Sequence, residues 1–191
     1  MTVQTTIKSQ SVESSSLLTG EELFALGDIG RSELVQGELI RMSPTGHPHG
    51  YYEGNFYAAL RAWVQPKKLG RVLVGEVGIY TARNPDTVRG ADVAFISNER
   101  LARIQSSSYL DVAPELVVEI LSPDDRWSEV QKKLAEYFNI GGQMVWIADP
   151  SQPQVYVYRS LTEVEIIEAH QELTGGDLLP GFRILAAELF E

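Results

Sequence analysis

Two acids stand where buried strands would ordinarily carry apolar residues. Glu119 lies in V-A-P-E-L-V-V-E-I-L-S-P, residues 112–123, and Asp92 in A-D-V-A-F-I-S, 27 positions earlier (119 minus 92). Period-two alternation puts Glu115, Val117, Glu119 and Leu121 on one face of a strand and Leu116, Val118 and Ile120 on the other. Glu119 therefore sits in the apolar middle of its strand with no basic neighbour. A buried carboxylate is costly unless it is paired, protonated or bound to a cation. Two such carboxylates from neighbouring strands suit Mg²⁺ or Mn²⁺, hard cations that take one or two carboxylates and keep waters for chemistry.

A third group follows directly in Q-K-K-L-A-E-Y-F, residues 131–138. At 100° per residue Val130, Leu134, Tyr137 and Phe138 form one stripe, with Lys133 at its border and Lys132 pointing away. Lys133 is placed to reach back towards Glu119 with its stem on apolar neighbours. Its ammonium would orient an attacking water or stabilise a pentavalent phosphate. Lys132 reads as solvent-exposed beside Glu136.

The elements that must position these groups read in order. Residues 1–16 are rich in Ser, Thr and Gln and are expected to be a flexible tail. T-G-E-E from Thr19 is a capping box opening a helix that runs to about Gly27. Gln36-Gly37 between two short apolar runs predicts a β-hairpin. Residues 43–50 read as a loop. From His49 to Val64 the spacing of Tyr52, Phe56, Leu60 and Trp63 or Val64 predicts a helix. Strands are expected at 71–80, 92–97, 115–121, 143–148, 154–159 and 163–168, with a helix over 128–138. The segment 173–190 reads as loop followed by a short helix. This predicts one α/β domain over residues 17–191, built on a mixed β-sheet flanked by helices.

The bulk properties limit the function. The chain has 191 residues, 26 acids against 16 bases and a formal charge of -10. This argues against a protein that coats nucleic acid through a broad basic surface, because Lys and Arg supply most non-specific affinity for phosphate. The absence of cysteine excludes disulfides and thiolate metal sites. The N-terminus lacks the apolar core of a signal peptide, and no apolar run approaches the ~20 residues of a membrane helix. A soluble, cytoplasmic protein with no membrane partner is the expectation. No G-x-S-x-G, H-E-x-x-H, Walker A or G-x-G-x-x-G motif offers a rival chemistry.

The order of these motifs resembles a known family. Asp92, then V-V-E-I-L-S-P, then K-L-A-E-Y-F-N-I-G-G-Q-M-V-W-I-A-D-P looks like the putative restriction endonuclease family, long catalogued as a domain of unknown function, within the PD-(D/E)XK nuclease superfamily. The likeness runs from about Leu17 to the end and includes E-L-V-Q-G-E-L-I-R-M-S-P, the His49 helix and L-L-P-G-F. It implies a restriction-endonuclease-like core with extra N- and C-terminal β elements. It also implies Asp92 and Glu119 as metal ligands, Mg²⁺ (or Mn²⁺) as cofactor, DNA as substrate, and a homodimer. Two positions depart from the pattern: Ala91 replaces the proline before the aspartate, and Leu121 replaces the lysine two positions after the glutamate. Relocation of that lysine to the next helix is known in the superfamily, and Lys133 matches it.

Plainer readings stand beside these. Asp92 could cap a turn or pair with Arg89, and Lys133 could be a snorkelling interfacial lysine. His49, with Glu53 one turn on, reads as a structural residue near a helix N-terminus, with DNA binding or water positioning as the alternative. Glu38 reads as a solvent-facing strand residue, although the superfamily often adds an acid from an N-terminal element. Glu76 is undecided. Tyr137 and Trp146 are assigned to the core. The functional expectation is a metal-dependent endonuclease; the alternative is a catalytically inactive nuclease-fold binding or regulatory module.

Overall fold

The computed structural model describes residues 17–191; the tail expected over residues 1–16 lies outside the described residues. The capping box forms as expected: the Thr19 hydroxyl accepts from the Glu22 N–H and the Glu22 carboxylate accepts from the Thr19 N–H, opening α1 (Gly20–Ala25). Gln36 and Gly37 both adopt positive φ, 51° and 79°, the backbone that a tight two-residue hairpin needs between β1 (Ser32–Val35) and β2 (Glu38–Arg41).

Helix α2 (His47–Lys67) starts two residues before His49, so the predicted loop is shorter than residues 43–50. It continues past Val64 to Lys67, with Pro66 in its last turn. Strands β3 (Gly70–Ala82) and β4 (Thr87–Ser97) pair antiparallel and outrun the predicted limits. After the short α3 (Asn98–Leu101) come β5 (Leu116–Ile120), α4 (Trp127–Asn139), β6 (Met144–Asp149), β7 (Gln154–Tyr158) and β8 (Val164–Glu168).

The eight-stranded sheet runs β2-β1-β4-β5-β6-β7-β8, with β3 also paired to β4. It is mixed: β5 and β6, joined through α4, are parallel and their neighbours antiparallel. One face packs Phe56, Leu60 and Val64 of α2 on Val118, Ile120 and Trp146. The other packs Leu134 and Tyr137 of α4 on Val117, Val145 and Ile147. The alternation along β5 thus sends its residues to opposite layers, as its sequence predicts.

The closing segment differs from expectation. The expected short helix is present as a 3-10 helix at Ala186–Leu189, but in place of the loop the segment forms a hairpin of β9 (Glu172–Gly175) and β10 (Leu179–Leu185). Leu173, Leu179, Phe182 and Leu189 bury against the α2 face, and that burial outweighs the turn signal of Pro180-Gly181. The pair is absorbed in a register irregularity between Leu179 and Arg183, where a strand tolerates proline.

One irregularity matters for function. β1 and β5 share the edge of β4 opposite β3, but β1 touches it at Leu34↔Val88 and β5 from Val93↔Val118 onward. Between them, residues 89–92 of β4 have no strand neighbour on that edge.

Candidate active site

Side chains fill this notch where a strand is missing. The Gly90 N–H donates to Glu33 Oε1 at 3.0 Å, and the Gly90 carbonyl accepts from Lys133 Nζ at 2.9 Å. The backbone N–H of Ile120 donates to Asp92 Oδ2 at 2.7 Å. Lys133 Nζ also lies 2.9 Å from Glu119 Oε2 and 3.3 Å from Glu33 Oε1. Tyr137, one turn on, donates its hydroxyl to Glu119 Oε1 at 2.6 Å. Arg89 completes the set, holding Glu33 Oε2 at 2.9 Å and both oxygens of Glu136 at 2.7 Å. The notch opens into a cleft of about 790 Å³ bounded by residues 42–46 and 121–126.

Electrostatics here follow from burial and partners. Burial, with Asp92 adding to it, pushes the Glu119 carboxyl up to about 7 against the opposing pull of Lys133 and Tyr137. Burial alone would lower Lys133, but Glu119 and Glu33 more than offset it, so the ammonium is raised above the lysine range and stays charged. Glu33 resists burial and is lowered, because Lys133 and Arg89 both face it.

The opposite side of Asp92 is built differently. His49 Nε2 stands 3.4 Å from Asp92 Oδ2, and its Nδ1 is buried without a partner. Glu53, one turn along α2, accepts the Gly75 N–H at 2.8 Å. That contact holds a bulge in β3 where Gly75 and Glu76 have φ of 92° and 56°. The bulge carries Glu76 against Gly90, with Arg31 as its ionic contact, yet neither Glu76 oxygen makes a well-formed hydrogen bond. Burial first, then Asp92, pushes both Glu53 and Glu76 up. Burial opposes the charging of His49, but its contact with Asp92 prevails and raises it.

Of the residues singled out in the sequence, Asp92, Glu119 and Lys133 converge, and His49 and Glu76 adjoin Asp92. Glu38 is exposed on β2 and does not line the cleft; the acid that the N-terminal hairpin delivers is Glu33. Arg89 is committed to Glu33 and Glu136 rather than to Asp92, and Lys132 pairs with Glu129 rather than Glu136. Tyr137 is buried as expected but is also a ligand of Glu119, and Trp146 is core. Glu33, Arg89 and Tyr137 were not assigned to the site from sequence. The available signal was an acid inside the short strand S-E-L-V with no base of its own; Glu33 and Leu34 are both buried, on opposite faces.

A family model described as Uma2, putative restriction endonuclease, matches residues 21–188. The chain is also similar in fold to the crystal structure of a putative nuclease belonging to DUF820 from Anabaena variabilis ATCC 29413. The identity is 22%, the match covers 91% of this chain and 97% of that one, and the TM-score is 0.76. No curated protein matches the chain.

Proposed function

The chain belongs to the Uma2 putative restriction endonuclease family, and from this premise we propose that it is a metal-dependent endonuclease hydrolysing phosphodiester bonds in DNA. The observation that carries the reading is the ammonium of Lys133, charged and held 2.9 Å from Glu119 at the floor of the cleft that Asp92 also lines. We assign residues 17–191 to one nuclease-like domain and the working form to a cytoplasmic homodimer, since two-fold symmetry suits the cutting of both strands.

The donor chemistry fits a divalent cation. Asp92 and Glu119 are the ligands of the proposal, offering hard oxygens to Mg²⁺ or Mn²⁺. Glu119 accepts one hydrogen bond on each oxygen, and a carboxylate has about four acceptor sites, so both oxygens keep capacity. When bound, such an ion supplies Lewis-acid polarisation of a phosphoryl oxygen. Lys133, being charged, has no proton affinity to spare; its part is to orient the attacking water and stabilise negative charge developing on the phosphate. Tyr137 and Glu33 fix the positions of Glu119 and the ammonium. The chain's charge of -10 opposes DNA, and the cleft lining carries six acids against four bases, so the reading needs the bound cation to offset that repulsion.

A second reading, a nuclease-fold binding or regulatory module without catalysis, is favoured by one observation. Lys133 and Tyr137 satisfy both oxygens of Glu119 with no cation needed, and Leu121 stands where the family lysine would be. Plasmid and single-stranded DNA cleavage with Mg²⁺ or Mn²⁺ separates the two, using wild type beside Glu119→Gln and Lys133→Gln. We expect cleavage by wild type and a loss of at least about 100-fold in both variants. No cleavage by wild type in either metal decides for the module.

A further inference from the structure

We propose that the C-terminal half of α2 and the start of β3 form a contact surface for the phosphate backbone of DNA, made by Arg61, Lys67, Lys68 and Arg71. The surface lies at the far end of α2 from the cleft. His49, near the start of the helix, lines the cleft, and 21 helical residues at 1.5 Å each span about 31 Å.

Segregation of charge carries this. Residues 54–75 hold four bases and no acid, in a chain of 26 acids and 16 bases. All four bases are exposed, and none enters a salt bridge among the described residues. By contrast, every lysine and arginine from Arg83 onward is in a salt bridge except Arg103 and Arg126. Elsewhere the chain neutralises most of its cations itself; at this corner it leaves them unpaired. The adjoining α3, whose Asn98 side chain donates to the Lys68 carbonyl at 2.7 Å, brings one acid, Glu99. Its base, Arg100, is committed to Glu115.

Geometry joins the corner to the cleft. At 100° per residue Gly54, Ala58, Arg61 and Gln65 share the outward face of α2, all exposed, and Lys68 caps the helix. Glu53 is turned off this face to the Gly75 N–H. Lys67 Nζ stands 3.2 Å from the centre of the Trp63 ring, and the Arg61 guanidinium lies over Tyr57 at 6.0 Å. Side chains held in this way lose less freedom on binding. From Gly54 to Arg71 no large apolar side chain is exposed. A protein partner needs an apolar or aromatic anchor, whereas a phosphate chain needs only spaced cations. The cleft is acidic on balance, so attraction for a polyanion has to come from another part of the chain. The proposal rests on the nuclease reading for the identity of that polyanion.

The test is binding of a DNA duplex of about 30 base pairs, roughly three times the span of α2 at ~3.4 Å per pair, followed by fluorescence anisotropy. Chelator is present so that nothing is cleaved. Wild type is compared with the double variants Lys67→Gln/Lys68→Gln and Arg61→Gln/Arg71→Gln. Arg159→Gln/Arg183→Gln is the control, with the same change of charge elsewhere. Circular dichroism confirms that each is folded. We expect the slope of log affinity against log salt to be shallower by about 2 in both test pairs and unchanged in the control. Between about 50 and about 200 mM salt, wild type should thus lose roughly tenfold more affinity than either test pair. No duplex binding by wild type, an unchanged slope in both test pairs, or an equal drop in the control overturns the proposal. So does polyglutamate that competes with DNA on wild type and itself binds through these four bases as tightly, which assigns the corner to an acidic protein. Duplex binding through the corner without cleavage under any metal removes the nuclease and leaves the surface. Cleavage with an unchanged slope removes the surface alone.

Discussion

The two sides of Asp92 are both buried, charged and built from long-range contacts, but they are finished to different degrees. On the α4 side, Glu33, Arg89, Lys133, Glu119 and Tyr137 form a closed network with bonds of 2.6–3.3 Å. On the α2 side, Arg31, His49 and Glu76 contribute every buried atom without a hydrogen-bond partner among the described residues except Trp63 Nε1. A native structure leaves few such atoms, and each needs a reason. The first side is satisfied by the protein's own groups; on the second, His49 Nδ1 and the Arg31–Glu76 pair are left with unpaired buried atoms.

The sharpest way to break this contrast is Lys133→Met. It strands Glu33 and Glu119 without their shared cation, and removing one partner of a buried ion pair costs about 3–5 kcal/mol. Urea unfolding with chelator present measures it; a cost near zero would mean the network is not closed.

Next is pH. Glu119 titrates near 7 in the folded protein against an ordinary 4.5, so between those values the folded state holds a proton that the unfolded chain has lost. Its contribution to stability is complete below the lower value and is lost as pH rises through the upper one. Wild type should therefore lose ground to Glu119→Gln between about pH 5 and about pH 8, by an amount on the order of 3 kcal/mol. A difference that ignores pH would show that Lys133 keeps Glu119 ionised throughout.

The smallest effect belongs to the other side. Glu76→Gln removes the ion pair with Arg31 but also a carboxyl that burial and Asp92 already disfavour in its charged form, so metal-free protein should change by less than about 1 kcal/mol in the same assay. A large loss would mean that the Arg31 contact alone satisfies Glu76, and the two sides would then be alike.

Much of the scaffold was legible locally. Thr19 and Glu22 wrote a cap, Gln36-Gly37 a hairpin, the α4 stripe a packed helix, and the alternation through Glu119 a strand with two buried faces. Two acids out of place in apolar runs marked the candidate site, and the 100° spacing along α4 distinguished Lys133 from Lys132. Other features depend on partners distant in sequence. β9–β10 exists because Leu173, Leu179 and Phe182 find an apolar face on α2, which no window of residues 173–190 contains. Glu38 and Glu33 sit on paired strands of one hairpin, and register, rather than residue type, sends Glu33 to Gly90.

The sequence by itself determined which groups needed partners: a carboxylate in an apolar strand has to be compensated wherever the chain goes. It also determined the periodicities that build sheet and helices, because these are set by neighbours three or four residues away at most. Only the tertiary structure decided which partner answers which acid. That choice depends on the break in the edge of β4, on the bulge that turns Glu76 inward and on α2 and α4 crossing opposite faces of the sheet. Lys133 serves Glu119, and His49 serves Asp92, because those packings bring them within a few ångströms across 14 residues in one case and 43 (92 minus 49) in the other.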